Sequence, residues 1–206
     1  MRHLFRFPGH VKDAVREHVR RAIEHVDPMH FRQEPAYVAA LAARLIGVAY
    51  DGADGKVVFT STIVSDRGRE SAESFYGADL AITADVSNKR LAVRKAILVQ
   101  AKIGAVSDMH ARDLEILREQ IEKMRRVTRS PKVMEILEHG NVRMPRMVSG
   151  SRVLRGERYR AYELPRYFVA RVLSTRDGDT RGTFVDAVQD SKLTRLHVLA
   201  ELDVAD

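Results

Sequence analysis

Apolar residues near the start of the chain recur at steps of three and four positions, which is the spacing of one face of an α-helix. This face consists of Val11, Val15, Val19, Ala22 and Val26. The pattern predicts an amphipathic helix over residues 8–26, which Pro28 closes. A second helix is predicted over residues 34–47, because Pro35 suits its first turn and alanine and leucine fill its body.

The next part of the chain changes to strand-like sequence, rich in β-branched residues and with alternating apolar and polar positions. Three strands are predicted, near residues 57, 79 and 98. The segment "DGADGK" reads as a turn before the first strand, and "SNKR" as the turn between the second and the third. Helical spacing returns near residue 113, so the predicted order of elements is helix, three strands, helix.

The remaining segments are predicted to be mainly helical. "PKVMEILEHG" indicates a helix that ends at Gly140, "VRMPRMV" a short strand, and "LPRYFVARVL" and "SKLTRLHVLAEL" two further helices. The predicted fold class is therefore α/β (α+β), with a mixed sheet of about four strands flanked by helices and extra helices at the N- and C-terminal ends. No linker rich in glycine, serine or proline divides residues 1–206, so a single elaborated domain is expected.

Composition places the chain among globular proteins. Hydrophobic residues make up 45% of the 206 positions and charged residues 31%, and the longest apolar runs are far too short to cross a bilayer. The basic N-terminus has no apolar signal region, so export is not expected. The absence of cysteine excludes disulfides and thiolate metal sites. We therefore expect a cytoplasmic protein without a membrane partner.

The positive charge of the chain is concentrated in one segment. Residues 143–171 carry eight arginines against two glutamates, which accounts for six of the seven excess positive charges. Such a segment favours a polyanionic partner, because each neutralised phosphate releases counterions. Arg152, Arg155 and Arg158 are the candidate nucleic-acid-binding residues. The alternative is an arginine-rich surface with no such partner.

Polar residues interrupt the second and third predicted strands at one level of their hairpin. If the turn lies between Lys89 and Arg90, Asp79 stands opposite Gln100. Alternation along the third strand then places Gln100 and Lys102 on the same face. A carboxylate, an amide and an ammonium group would therefore converge on one patch beside an apolar sheet.

This patch suits phosphodiester chemistry. Carboxylate and neutral oxygen atoms are the ligands that Mg²⁺ prefers, and Mg²⁺ also accepts phosphate oxygens. A nearby lysine can orient or deprotonate a water molecule and offset charge on the phosphate. The alternative is a salt bridge between Asp79 and Lys102, with Gln100 as a polar neighbour.

The pattern resembles the PD-(D/E)xK nuclease superfamily. "GAD" on one strand, twenty intervening residues and then "QAK" at the end of the apolar run "ILVQAK" are similar to its QxK branch, to which Mrr-like restriction endonucleases belong. The order of helix, three strands and helix also matches. The resemblance implies a restriction-endonuclease-like αβββα core over residues 34–145, followed by a basic C-terminal extension over residues 146–206.

The resemblance implies a magnesium-dependent endonuclease that cleaves DNA, in restriction or phage defence. Asp79 would bind the metal, Gln100 would contribute its side-chain oxygen, Ala101 its backbone carbonyl, and Lys102 would be the catalytic lysine. Because glutamine lacks a charge, a second carboxylate is needed, and Glu34 and Glu73 are the two alternatives. Mg²⁺ is the expected cofactor, with Mn²⁺ as a substitute.

Other functions stay open on the sequence. A catalytically silent nucleic-acid-binding or assembly domain could keep the same fold. RNA stays open beside DNA as the substrate, because phosphate contacts do not read the sugar. Nucleases of this kind often act as dimers, so a homodimer or a larger defence complex is a further expectation. The chain contains no P-loop, Rossmann glycine pattern, nucleophile elbow or zinc-helix motif.

Overall fold

The structure of the protein, a computed structural model, describes residues 5–64, 72–137 and 144–203, without the side chains of residues 72 and 73. The helices in these ranges are α1 Gly9–Glu24, α2 Glu34–Arg44, α3 Ala72–Tyr76, α4 Ala111–Val127, α5 Gly150–Leu154, α6 Leu164–Tyr167 and α7 Gly182–Asp190. A π-helical segment, Phe168–Leu173, extends α6. The first two helices confirm the predicted ones, although α2 ends earlier, at Arg44.

All the strands of the described ranges belong to one mixed sheet. They are β1 Gly47–Gly52, β2 Gly55–Thr62, β3 Leu80–Asn88, β4 Ala92–Ile103, β5 Lys132–Ile136, β6 Arg146–Ser149, β7 Tyr162–Glu163 and β8 Arg195–Leu202. Their order across the sheet is β1-β2-β8-β3-β4-β5-β6-β7. β8 runs parallel to β3 and β5 runs parallel to β4, whereas every other neighbouring pair is antiparallel.

Helices cover both faces of this sheet. On one face, α1, α2 and the π-helical segment pack on the apolar side chains of the central strands, with Val15, Leu41 and Phe168 almost fully buried. On the other face, α4 and α7 bury Ile121 and Val188. The predicted class, α+β with a mixed sheet flanked by helices, is confirmed. Within the described residues, no helix is both long enough and apolar enough to cross a membrane.

The prediction of about four strands is wrong, since the sheet has eight. One added strand comes from the end of the second predicted helix. α2 ends at Arg44, and Gly47, with φ +149°, a conformation outside the helical region, begins β1 and the β1–β2 hairpin. "DGADGK" supplies the turn of that hairpin, as predicted.

A second correction concerns the segment "PKVMEILEHG". Residues 132–136 form the strand β5 rather than a helix, and all five are buried. Burial on both faces removes the alternation of polar and apolar positions that marks a half-buried strand, so periodicity does not separate this segment from a buried helix. Gly140, the predicted end of that helix, lies outside the described residues.

The segment "SKLTRLHVLAEL" is also a strand where a helix was predicted. In β8 the residues Leu196, Val198, Ala200 and Leu202 point into the core and alternate with less buried positions. β8 lies between β2 and β3, so these two strands are not neighbours. The helix predicted for "LPRYFVARVL" is confirmed as α6 and its π-helical extension, and β6 confirms the short strand within "VRMPRMV".

Candidate active site

The β3–β4 hairpin sets the geometry of the candidate site. Leu80 pairs with Val99 and the ladder continues to Ser87 and Ala92, which is the register predicted from the turn. One residue before β3, the backbone N–H of Asp79 donates to the Val99 carbonyl at 3.0 Å. Asp79 therefore lies beside Gln100, as the sequence predicts.

A glycine fixes how the chain enters this strand. Gly77 has φ +67° and follows the last residue of α3. A Cβ atom at this position would collide with the carbonyl oxygen of Gln120 on α4. Only glycine combines the left-handed conformation with this close approach, so the "GAD" sequence places Asp79 by its backbone as well as by its side chain.

The Asp79 carboxylate is buried and hydrogen-bonded to the end of β4. Asp79 and Gln100 are only 7% and 2% exposed. Oδ2 of Asp79 accepts a hydrogen bond from the Ala101 backbone N–H at 2.8 Å and another from the Gln100 amide nitrogen. The same amide nitrogen donates to the Ala101 carbonyl oxygen at 3.1 Å. The NH₂ group of Gln100 thus lies between Oδ2 of Asp79 and the carbonyl oxygen of Ala101.

Lys102 reaches a carboxylate from the helix layer. Its Nζ atom lies 3.8 Å from Oε1 of Glu34, the first residue of α2. The two side chains are 14% and 31% exposed, so both charges retain some contact with solvent. Of the two alternatives for the second carboxylate, Glu34 is therefore brought next to the catalytic lysine candidate.

The other alternative, Glu73, lies in α3, six positions before Asp79. Its side chain is outside the part of the chain that the structure describes.

The donor set is the kind that holds a hard divalent cation. The Asp79 carboxylate, the Gln100 amide group and the Ala101 carbonyl lie in contact, and Glu34 lies beside Lys102, the residue that follows Ala101. Oxygen donors of this type suit Mg²⁺ and Mn²⁺. Two of the oxygens already surround one hydrogen-bond donor, so the residues present fit such an ion. In the described ranges, no group of three histidine, cysteine or acidic residues offers a purely charged site.

Sequence reasoning missed a buried carboxylate beside this site. Glu135 of β5 is the strand partner of Lys102 and is 1% exposed. Its Oε1 atom accepts from the Val106 backbone N–H at 3.0 Å, and its Oε2 atom lies 3.1 Å from Arg146. Burial and the Glu135 charge raise the pKa of Tyr159 to about 12. Glu135 thereby anchors the turn that follows Lys102. The only sequence signal for Glu135 is that it is the single acidic residue of "KVMEI". The segment was predicted to be a helix, in which an acidic residue is expected to face solvent.

The three candidate nucleic-acid-binding arginines lie on and just after α5. Arg155 makes a two-point ion pair with Glu157, at 2.5 and 3.1 Å. Arg152 donates to the backbone carbonyl of Arg158 at 2.9 Å. Arg152 and Arg158 line two different cavities, so the three side chains do not form one row. Arg143, the first arginine of the basic segment, is outside the described residues.

Comparison with known proteins yields no relative: no family model, no curated protein and no solved structure matches this chain. The function is therefore inferred from the residues of the hairpin and their surroundings.

Proposed function

We propose that the protein is a magnesium-dependent endonuclease that hydrolyses phosphodiester bonds of DNA, in restriction or phage defence. One observation carries the proposal. The β3–β4 hairpin brings the Asp79 carboxylate against Gln100 and Ala101, while Lys102, two residues further, lies beside a carboxylate of α2. A carboxylate, an amide, a backbone carbonyl and a lysine on one hairpin are groups that suit metal-assisted phosphate hydrolysis.

The order of elements supports a restriction-endonuclease-like core. From α2 onward the chain passes through β1, β2, the short helix α3, β3 and β4, then α4 and a parallel strand, β5. Apart from β1 and α3, this order agrees with the αβββα core expected over residues 34–145. The insertion of β8 between β2 and β3 is an elaboration that the expectation does not include.

The residues would divide the work as follows. Asp79, Gln100, Ala101 and Glu34 would hold a magnesium ion, which supplies Lewis-acid stabilisation of the charge on the phosphate. Lys102 donates hydrogen bonds from a compact ammonium group to an attacking water or to a phosphate oxygen. Glu34, at 3.8 Å from Lys102 Nζ, orients that ammonium group. Burial of Asp79 excludes bulk water, which strengthens each of these electrostatic interactions.

A second candidate function is a catalytically silent nucleic-acid-binding domain. The observation that favours it is the Gln100 amide nitrogen, which bridges Asp79 Oδ2 and the Ala101 carbonyl and satisfies both oxygens without an ion. In this case the hairpin polar group is structural, and phosphate contacts come from the arginines of residues 146–171.

A cleavage assay separates the two functions. Supercoiled plasmid, linear duplex, single-stranded DNA and RNA are each incubated with the protein in Mg²⁺, Mn²⁺, Ca²⁺ or chelator. Metal-dependent cutting that disappears in Lys102→Met supports the nuclease. The substrates that are cut show whether it acts on DNA or on RNA. Binding of the same substrates with no cutting in any metal would assign the silent domain instead.

A further inference from the structure

A cavity of about 380 Å³ lies away from Asp79, Gln100 and Lys102, which are called the hairpin group below. It is located between the β5–β6–β7 end of the sheet and the π-helical segment. Its walls include Lys132 of β5, Tyr162 of β7 and Arg171 of the π-helical segment. Lys132 is the strand partner of Val99, three positions before Glu135, the partner of Lys102. The cavity is therefore about 10 Å from the Lys102 position along the strands.

The charge of the cavity is strongly positive. Four cations line it, Lys132, Arg152, Arg160 and Arg171, against one carboxylate, Asp177. Asp177 is already engaged, because its Oδ2 atom lies 2.9 Å from Nζ of Lys132 and both side chains are largely buried. Arg152 lies 4.0 Å from Glu157, so Arg160 and Arg171 remain to give this concave surface a positive potential, which concentrates anions.

The arginines are held mainly by neutral groups. The guanidinium of Arg160 lies 5.0 Å from the centre of the Tyr162 ring, and that of Arg171 lies 4.6 Å from it. Arg171 also donates to the Tyr162 hydroxyl at 2.5 Å. Tyr162 thus contacts the guanidinium groups of both Arg160 and Arg171, which line the same cavity, and neutralises neither charge. Such a pair fits an oxyanion that takes hydrogen bonds from both guanidinium groups.

We propose that this cavity binds a phosphate monoester of nucleotide size. The volume is at the small end of the range for ligand pockets, which suits a mononucleotide or a strand end rather than a larger cofactor. The dianionic phosphate pairs with Arg160 and Arg171, and the salt-bridged Lys132 supplies a further donor at the floor. The inference does not require the hairpin group to be catalytic.

The test is isothermal titration calorimetry on the full chain with inorganic phosphate, AMP and adenosine. AMP should bind and adenosine should not. Arg160→Met keeps the stem of an exposed side chain and should weaken AMP binding about tenfold, the scale of one charge-assisted hydrogen bond. Arg171→Met should weaken it further, and Arg166→Met, an exposed arginine of α6 that does not line the cavity, should leave it unchanged.

Two further arms complete the experiment. Oligonucleotides with and without a 5′-phosphate show whether the monoester belongs to a strand end or to a free nucleotide. Asp79→Asn should bind AMP like the wild type, which separates this site from the proposed nuclease. If Arg171→Met fails to fold, Arg160→Met decides alone. No binding of phosphate, AMP or the phosphorylated strand, or equal binding in Arg160→Met and wild type, overturns the proposal.

Discussion

The Gln100 amide nitrogen donates a hydrogen bond to the Asp79 carboxylate across the β3–β4 hairpin, and both residues are almost completely buried. The Ala101 backbone N–H also donates to this carboxylate, and the two hydrogen bonds offset the cost of burying its charge. The same contact places two potential metal ligands side by side. The first three predictions test whether these groups hold the hairpin, a metal ion, or both.

Asp79→Asn should abolish magnesium-dependent cleavage while the fold is kept, because the amide retains an acceptor oxygen but loses the charge that binds the ion. Asp79→Ala should also lower the free energy of unfolding by about 1–3 kcal/mol, since it leaves the buried Ala101 N–H and Gln100 amide without their acceptor. Plasmid cleavage and urea unfolding measure the two effects. Asp85→Asn, in β3, is the control and should cut normally; full activity in Asp79→Asn would remove Asp79 from the site.

Gln100→Glu should make the hairpin dependent on the metal. Two carboxylates would then lie in contact in a buried place, so the variant should melt at lower temperature than the wild type in chelator. Magnesium should raise its melting temperature more than that of the wild type, because the ion would then offset one more negative charge. Thermal unfolding with and without Mg²⁺ measures this difference. An equal or smaller magnesium shift would show that the Gln100 position does not contact the ion.

Lys102→Met should keep the fold and most DNA affinity but lose cleavage by about 10²–10⁴-fold, the scale of positioned proton transfer. Lys102→Arg should fail as well, because a planar fork cannot replace a compact ammonium. Single-turnover cleavage and fluorescence anisotropy separate catalysis from binding. Lys89→Met, in the turn of the same hairpin, removes an equal charge and should have no effect. Near-normal cutting by Lys102→Met would leave the silent binding domain as the better explanation.

The basic segment should control the salt dependence of binding. Replacement of Arg152, Arg155 and Arg158 by alanine should flatten the slope of log K against log salt by about 0.9 for each lost phosphate contact. Arg155→Ala alone should change it least, because Glu157 already pairs with that guanidinium. Anisotropy of a labelled duplex across a salt series gives the slopes. Arg20→Ala on α1 is the matched control, and a triple variant with the wild-type slope would place DNA elsewhere.

His197 should make stability depend on pH. Burial lowers the pKa of His197 in β8, although Asp85 opposes the shift. The folded state therefore binds this proton less readily than the unfolded state, so stability rises with pH across the window between the folded and unfolded values and falls as pH drops below about 6.5. Denaturant unfolding at several pH values should show a shallower acid loss in His197→Gln. His30→Gln, at an exposed position, should follow the wild type; identical profiles for all three would remove His197 as the cause.

Local sequence was enough to predict that Asp79 lies beside Gln100, and not enough to predict the sheet around them. The turn near Lys89 fixes the register of β3 and β4, so the pairing of Asp79 with Gln100 follows from counting residues. The position of β8 depends on contacts with residues more than a hundred positions earlier, which no local pattern records. The leucines of β8 fit the spacing of a helical face as well as that of a strand face. The segment forms a strand because its backbone pairs with β2 on one side and β3 on the other.

Side-chain contacts between distant parts of the chain also cannot be predicted from local sequence. Glu135 joins Arg146, Tyr159 and the Val106 backbone only after β5 and β6 are in place. Charge counting identified the arginine-rich segment but not its division between two cavities and an internal pair with Glu157. Composition predicts the sign of a surface, whereas its shape depends on packing.

The insertion of β8 in the middle of the sheet has a consequence for synthesis of the chain on the ribosome. β2 and β3 each keep an unpaired edge until residues 195–202 have been made, because β8 pairs with both. Until then, a nascent chain exposes the unpaired edges of β2 and β3, and such edges can pair with strands of neighbouring chains. A premature stop before β8 should consequently yield insoluble aggregates rather than a shorter active product.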